Sequence, residues 1–114
     1  MKVSDILRVK GNTLFTVTPD QPLADAVNTM ATLDIGSLVV MDHGNLTGML
    51  TFREVINAIV KNGGEVGATL IRSVMDNAPL TCTPDTEIDE VRRMMLGRHA
   101  RYMPVLNGKQ LMGV

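Results

Sequence analysis

Thr16-Val17-Thr18-Pro19-Asp20 returns as Thr81-Cys82-Thr83-Pro84-Asp85, and the offset of 65 positions then holds without a gap to the end of the 114-residue chain. Met30 falls on Met95, Val40 on Val105, Leu46 on Leu111 and Gly48 on Gly113. Upstream, Val3-Ser4-Asp5-Ile6-Leu7 matches Ile71-Arg72-Ser73-Val74-Met75 at an offset of 68. A tandem unit of about fifty residues cannot bury its own apolar faces alone and stacks on its twin. The function is expected in the two-fold-related cleft that such pairing creates.

A chain of this length has room for a real core. Aliphatic residues and nine methionines supply it, because there is no Trp, one Tyr and two Phe. A formal net charge of −1 and a pI near 6.0 provide no global basic field, which argues against non-specific nucleic-acid binding. No apolar run approaches the length of a membrane span, and Met1-Lys2-Val3-Ser4-Asp5 lacks a signal-peptide core, so a cytoplasmic protein is expected. Cys82 stands alone, which excludes an intrachain disulfide; its place in an apolar-polar alternation reads as a buried structural thiol.

The order of elements follows from pattern and punctuation. Leu14 to Val17 reads as a short strand. Asp20 is placed to cap a helix with Pro22 in its first turn, and Leu23, Ala26, Val27 and Met30 share one face at helical spacing. Gly36 follows; Ser37 to Met41 is a buried strand, Asp42-His43-Gly44-Asn45 a turn, and Leu46 to Thr51 a second strand. A helix from Phe52 to Lys61 is expected to bury Val55, Ile56, Ile59 and Val60, with Asn62-Gly63-Gly64 ending it. The unit is β-α-β-β-α. In the second copy Thr86 is expected to cap a helix burying Ile88, Val91, Met94 and Met95, which stops at Gly97. Tyr102 to Leu106 is a strand, Asn107-Gly108 turns, and Gln110 to Val114 is the last strand. The second copy lacks counterparts of Thr51 to Glu54 and of the closing helix.

Gly48-Met49-Leu50-Thr51-Phe52-Arg53-Glu54 has a physical logic of its own. Gly48 would let the strand approach a ligand closely. Thr51, at the strand-to-helix turn, offers a hydroxyl and nearby free amides to phosphate. Arg53 adds a planar cationic fork, and Glu54 offers a carboxylate to two ribose hydroxyls.

Together with the duplicated β-α-β-β-α order, the Thr-Pro-Asp before each first helix and the Tyr102-Met103-Pro104-Val105 strand, this motif resembles a tandem cystathionine β-synthase (CBS) domain pair, of the small stand-alone bacterial type. The resemblance implies an α/β (α+β) fold of two repeats, 1–66 and 67–114, packed with pseudo-two-fold symmetry, the second incomplete at its C-terminal end. It also implies a regulatory module that binds an adenosine nucleotide of the AMP, ADP or ATP class, or NAD or S-adenosylmethionine, and signals occupancy to a partner. In the family the carboxylate of the motif is usually Asp, where this chain has Glu54.

Carried over position by position, the resemblance implies one site that joins Thr51, Arg53 and Glu54 to Met75, Leu80, Thr81, Ala100, Arg101, Tyr102, Met103 and Pro104. Backbone groups near Thr81 and Ala100 would read adenine, Met75 and Leu80 would cover its face, and Arg101 would face phosphate. A partial second site would use Thr16, Thr18, Gly36, Ser37 and Leu38. Arg98 and His99 read as solvated loop, and His43 as an exposed turn residue too far in pattern from His99 for a metal site.

No Ser/His/Asp or Cys/His set and no paired carboxylates assemble, so the chain is not expected to be an enzyme, and no catalytic cofactor or metal is expected. The expected partners are an adenine nucleotide and a second copy of the chain through the helices of the pair, with no nucleic acid and no membrane. The alternatives are an oligomerisation module with empty clefts, or a regulatory fragment of a larger transporter or metabolic enzyme; the Met1 start weighs against an N-terminal fusion, and the stop at Val114 leaves a continuation open.

Overall fold

His43 and Gly44 hold φ of 51° and 79°, the left-handed pair that a two-residue hairpin turn needs to match strand twist. They join β2 (Ser37–Asp42) to β3 (Asn45–Thr51), which pair antiparallel with Leu38 opposite Leu50 and Val40 opposite Gly48, and a register shift between Val40 and Met41. In this computed structural model, which describes residues 1–11 and 14–114, β1 (Thr16–Val17) adds to the other edge of β2 in parallel, giving the order β1-β2-β3. The parallel step needs a crossover, and α2 (Leu23–Leu33) provides it. Helix α3 (Phe52–Lys61) follows β3 directly. Leu23, Ala26 and Met30 of α2 and Val55 and Ala58 of α3 close over Val17, Leu38, Val40 and Leu50, and Ile71 completes this core.

The same plan recurs 65 residues on, in shorter form. Helix α4 (Ile88–Arg98) leads to the hairpin of β4 (Val105–Asn107) and β5 (Gln110–Gly113), and Cys82 bridges Val105 in parallel, as Val17 does Val40. The core here is Val3, Cys82, Met103 and Val105, with Leu7, Ile88, Val91, Met94 and Met95 packed against it.

Two compact units result, and their boundaries cross those of the sequence repeats: Phe15–Ala78 forms one, Met1–Leu14 with Pro79–Val114 the other. Each body is clasped by the lead segment of the opposite copy. In the first-copy body, Ile71 N–H donates to Gln21 O (3.0 Å), Arg72 N–H to Pro19 O (2.8 Å) and Leu23 N–H to Thr69 O (2.8 Å). In the second, Val3 N–H donates to Thr86 O (2.9 Å), Ser4 N–H to Pro84 O (2.9 Å) and Ile88 N–H to Met1 O (2.9 Å). The bonds match one for one at the offsets of 68 and 65. The lead segment of the first copy coils into α1 (Val3–Lys10), whereas its counterpart makes one 3₁₀ turn, Ile71–Ser73.

Several expectations are corrected. The position before α2 is Pro22, not Asp20, whose carboxylate instead meets the Arg72 guanidinium at 3.0 Å. Glu87, not Thr86, precedes α4; the Thr86 hydroxyl accepts from Thr83 N–H (3.0 Å), closing the turn that Gln21 closes in the first copy (2.8 Å). Helix α4 runs through Gly97 and ends on His99 in the left-handed region, as α2 ends on Asp34. Polar side chains tolerate that conformation at a helix end. Tyr102 to Pro104 stay outside the strand, which starts at Val105. Ile56 and Val60 are 58% and 72% exposed, because Val55 and Ala58 already face the core and a 100° step turns the other two outward.

Candidate functional site

The start of α3 is built by a reciprocal cap. Thr51 N–H and Thr51 Oγ1 both donate to Glu54 Oε1, at 2.8 and 2.7 Å, while Thr51 Oγ1 accepts from Arg53 N–H at 3.2 Å. Glu54 is three residues past the cap, where a glutamate reaches back to the chain in the capping-box arrangement. The first turn thus satisfies donors that helix starts leave open, and its anion is the protein's own carboxylate. Arg53 is exposed beside it. A ligand phosphate at this turn would compete with Glu54 for the Thr51 N–H and hydroxyl.

Gly48 plays a different part from the expected one. A Cβ there would lie 2.6 Å from Asp76 O and 2.9 Å from Met75 Sδ, so the close approach is made by the chain itself. Asp76 pairs with Met49 in both directions, at 2.9 Å each, extending the edge of β3. Met75 therefore packs over Gly48 at the edge of its core. At the equivalent place in the other unit, Leu7 Cδ2 stands 2.7 Å from where a Cβ on Gly113 would be. The offsets of 65 and 68 in the sequence, taken together, carry the signal for this pairing, and it becomes readable once the lead segments are seen to exchange.

The remaining candidates fall in two groups. In the unit of Phe15–Ala78, Thr16 and Thr18 are exposed, Gly36 and Ser37 are half-buried at the entry of β2, and Leu38 is buried in the core. In the other unit, Leu80, Thr81, Ala100 and Tyr102 are half-buried, Arg101 is exposed, and Met103 and Pro104 are buried. Met103 is a core residue, so that position offers a ligand its backbone rather than its thioether.

A cavity of about 400 Å³, lined by Thr81, Cys82, Thr83, Thr86, Glu90, Met94, Leu106 and Gly108, lies beside α4 and was not legible in sequence, because its walls join α4 and the turn before it to the β4 hairpin. Burial pushes the Cys82 thiol above its ordinary value, which keeps it protonated. His43 is exposed and pairs with Asp42 at 2.7 Å. Among the described residues no three His, Cys, Asp or Glu converge as metal ligands, and no helix is long and apolar enough to cross a membrane.

Comparison with known proteins agrees with this architecture. Residues 3–61 and 71–114 each match the CBS domain. The chain is similar to the CBS domain-containing protein CBSX3, mitochondrial, of Arabidopsis thaliana, at 28% identity over 98% of this chain and 59% of that protein. Among solved structures, the CBS-domain containing protein ATU1752 from Agrobacterium tumefaciens superposes with a TM-score of 0.92 at 28% identity, over 99% of this chain and 90% of that one. CBSX2, solved in complex with AMP, shares the fold at a TM-score of 0.78 and 21% identity, over 98% and 87%. This chain spans less than two thirds of the curated relative's length.

Proposed function

The chain belongs to the CBS-domain family, and from that premise we propose that it is a regulatory module which binds an adenosine nucleotide and signals occupancy to a partner, rather than a catalyst. The observation that carries this reading is the start of α3, where the Thr51 hydroxyl and N–H, the exposed Arg53 and the Glu54 carboxylate share one helical turn. These are donors for phosphate and an acceptor for ribose hydroxyls. The adenine-reading group is Met75, Leu80, Thr81 and Ala100 to Pro104, with Arg101 for phosphate. Similar CBS proteins solved with AMP, or with 5′-methylthioadenosine and S-adenosylmethionine, set the ligand class to try first. The repeats 1–66 and 67–114 are the duplicated units of this module, which works in the cytoplasm as a homodimer through its helices, without nucleic acid or membrane.

Thermal or denaturant unfolding with AMP, ADP, ATP, NAD and S-adenosylmethionine tests the reading. A ligand at about 100 times its Kd adds about 2.7 kcal/mol; no stabilisation by any of the five would overturn it. Arg53→Ala is the cleaner binding variant, because Thr51→Ala also removes a helix cap. A double-mutant cycle between Arg53→Ala and Arg101→Ala tests whether both arginines serve one ligand: a shared ligand makes the two losses non-additive.

One observation favours a second reading, an oligomerisation module with no nucleotide. Glu54 Oε1 already takes both Thr51 donors, so this helix start is satisfied without a ligand. Size-exclusion chromatography separates the readings: a dimer indifferent to nucleotide, with no stabilisation in the unfolding series, supports the second.

A further inference from the structure

Of the residues that line the cavity of about 400 Å³ beside α4, the nucleotide reading uses only Thr81. Among the described residues Glu90 is the one lining group that carries charge, because burial keeps Cys82 a neutral thiol and its S–H turns to Pro104 O at 3.8 Å. The Glu90 carboxylate has no hydrogen-bond or ion-pair partner among the described residues; its neighbour Arg92 pairs with Asp89 instead. Beside it, Thr86 Oγ1 accepts from Thr83 N–H at 3.0 Å and stands 3.1 Å from Thr83 Oγ1. Each hydroxyl has two lone pairs, so this turn keeps acceptors to spare. Met94, one turn on from Glu90, and Leu106 are half-buried and give the cavity an apolar wall.

The matching positions of the other unit differ in two ways. At the offset of 65, Met94 replaces Thr29, whose hydroxyl is turned back on Asp25 O at 3.0 Å, and Gly108 replaces the exposed His43. A Cβ on Gly108 would meet nothing within 4 Å. An acid stands in both units, as Asp25 or Glu90, but only the second has the thioether wall and a mouth without a side chain at Gly108.

We propose that this cavity binds a small organic cation, a primary ammonium on a short apolar chain, the ammonium meeting Glu90 and the threonine hydroxyls and the chain lying against Met94 and Leu106. An ammonium brings three donors and no acceptor, which suits a carboxylate beside spare hydroxyl lone pairs. Charge-assisted bonds of this kind are the strong class. A phosphate or carboxylate ligand would meet Glu90 with the same sign of charge, so the cavity is not a second nucleotide site. A divalent metal fits less well, since it takes six or more oxygen ligands, and no three acidic or other ligating side chains converge among the described residues. At about 30 Å³ per water the cavity has the volume of about a dozen waters, enough for a ligand of about ten non-hydrogen atoms and within the range of small-molecule sites.

Amide NMR of the full chain, titrated in turn with hexylammonium, hexanol and hexanoate, tests this. Hexylammonium is expected to move the Thr83, Thr86, Glu90 and Gly108 signals with a Kd on the order of 1 mM, the scale for a ligand of about seven non-hydrogen atoms. Hexanol should bind about tenfold more weakly, having lost the charged hydrogen bond, and hexanoate should move none of these signals. Glu90→Gln, an exposed change that leaves the fold intact, should bring hexylammonium down to the level of hexanol. No response to hexylammonium, equal responses to all three compounds, an unchanged affinity in Glu90→Gln, or a response to Mg²⁺ alone would each overturn the proposal. Arg101→Ala, which weakens the nucleotide site proposed above, should leave hexylammonium binding in place, so the two readings fail separately; a loss there counts against the cavity.

Discussion

Helices α2 and α4 begin 65 residues apart and start from the same turn, yet α2 buries Leu23, Ala26 and Met30 while α4 buries no residue fully. Around α2 the described residues form a core of ten buried side chains, closed by α3; around α4 the core has four. Three devices of the first unit recur in the second: the Thr-Pro-Asp turn, the left-handed helix end at Asp34 or His99, and the close approach at Gly48 or Gly113. The two copies thus share a frame, while burial differs between the described units. Hydrogen-bonded turns depend on a few local residues, whereas burial depends on what covers them, and α3 is part of what covers the first core.

The comparison can be broken most directly through the cores. Leu23→Ala is expected to cost about 2–5 kcal/mol, as buried Leu truncations do, whereas its counterpart Ile88→Ala, half-buried, should cost about half as much or less. Equal losses in urea unfolding would show that the second core is as tightly packed as the first.

The glycine crossings sharpen the contrast. A methyl on Gly48 meets backbone at 2.6 Å, whereas one on Gly113 meets the end of the Leu7 side chain, which can turn aside. Gly48→Ala should therefore destabilise by about 1–3 kcal/mol, as overpacking does, and Gly113→Ala by clearly less. A smaller effect separates the helix starts. Thr51→Ala removes a working helix cap and should cost about 1 kcal/mol, while Thr86→Ala, which loses an exposed turn hydrogen bond to Thr83 N–H but no helix cap, should cost about 0.5 kcal/mol.

The smallest expected effect concerns the two clasps. Lys2 N–H, and then Arg8, hold the Asp5 carboxyl below its ordinary value of 3.8. A carboxylate lowered on folding contributes stability that is present above the unfolded value and lost as pH falls through the folded one. Below about pH 4, the α1 clasp should loosen. The other clasp has Ser73 at the matching position. Amide NMR through an acid titration should therefore show the Val3 and Ser4 signals moving as Asp5 is protonated, and Asp5→Asn should abolish that movement.

Sequence alone determined the duplication, the β-α-β-β-α order, the hairpin turns at His43-Gly44 and before Gln110, and the Phe52–Lys61 bounds of α3. Each of these is encoded by residues within a turn or two of one another. The Thr51–Glu54 stretch was legible too, as the turn from strand to helix. Its internal bonding was not, because only coordinates show that Glu54 satisfies Thr51. Nor did local pattern reveal which lead segment clasps which body. Residues 1–10 and 69–78 make equivalent backbone bonds to their bodies, so local pattern does not distinguish them, and the tertiary contacts do. The outward turn of Ile56 and Val60 was likewise decided in three dimensions, since an apolar residue records its fitness for burial but not what lies above it.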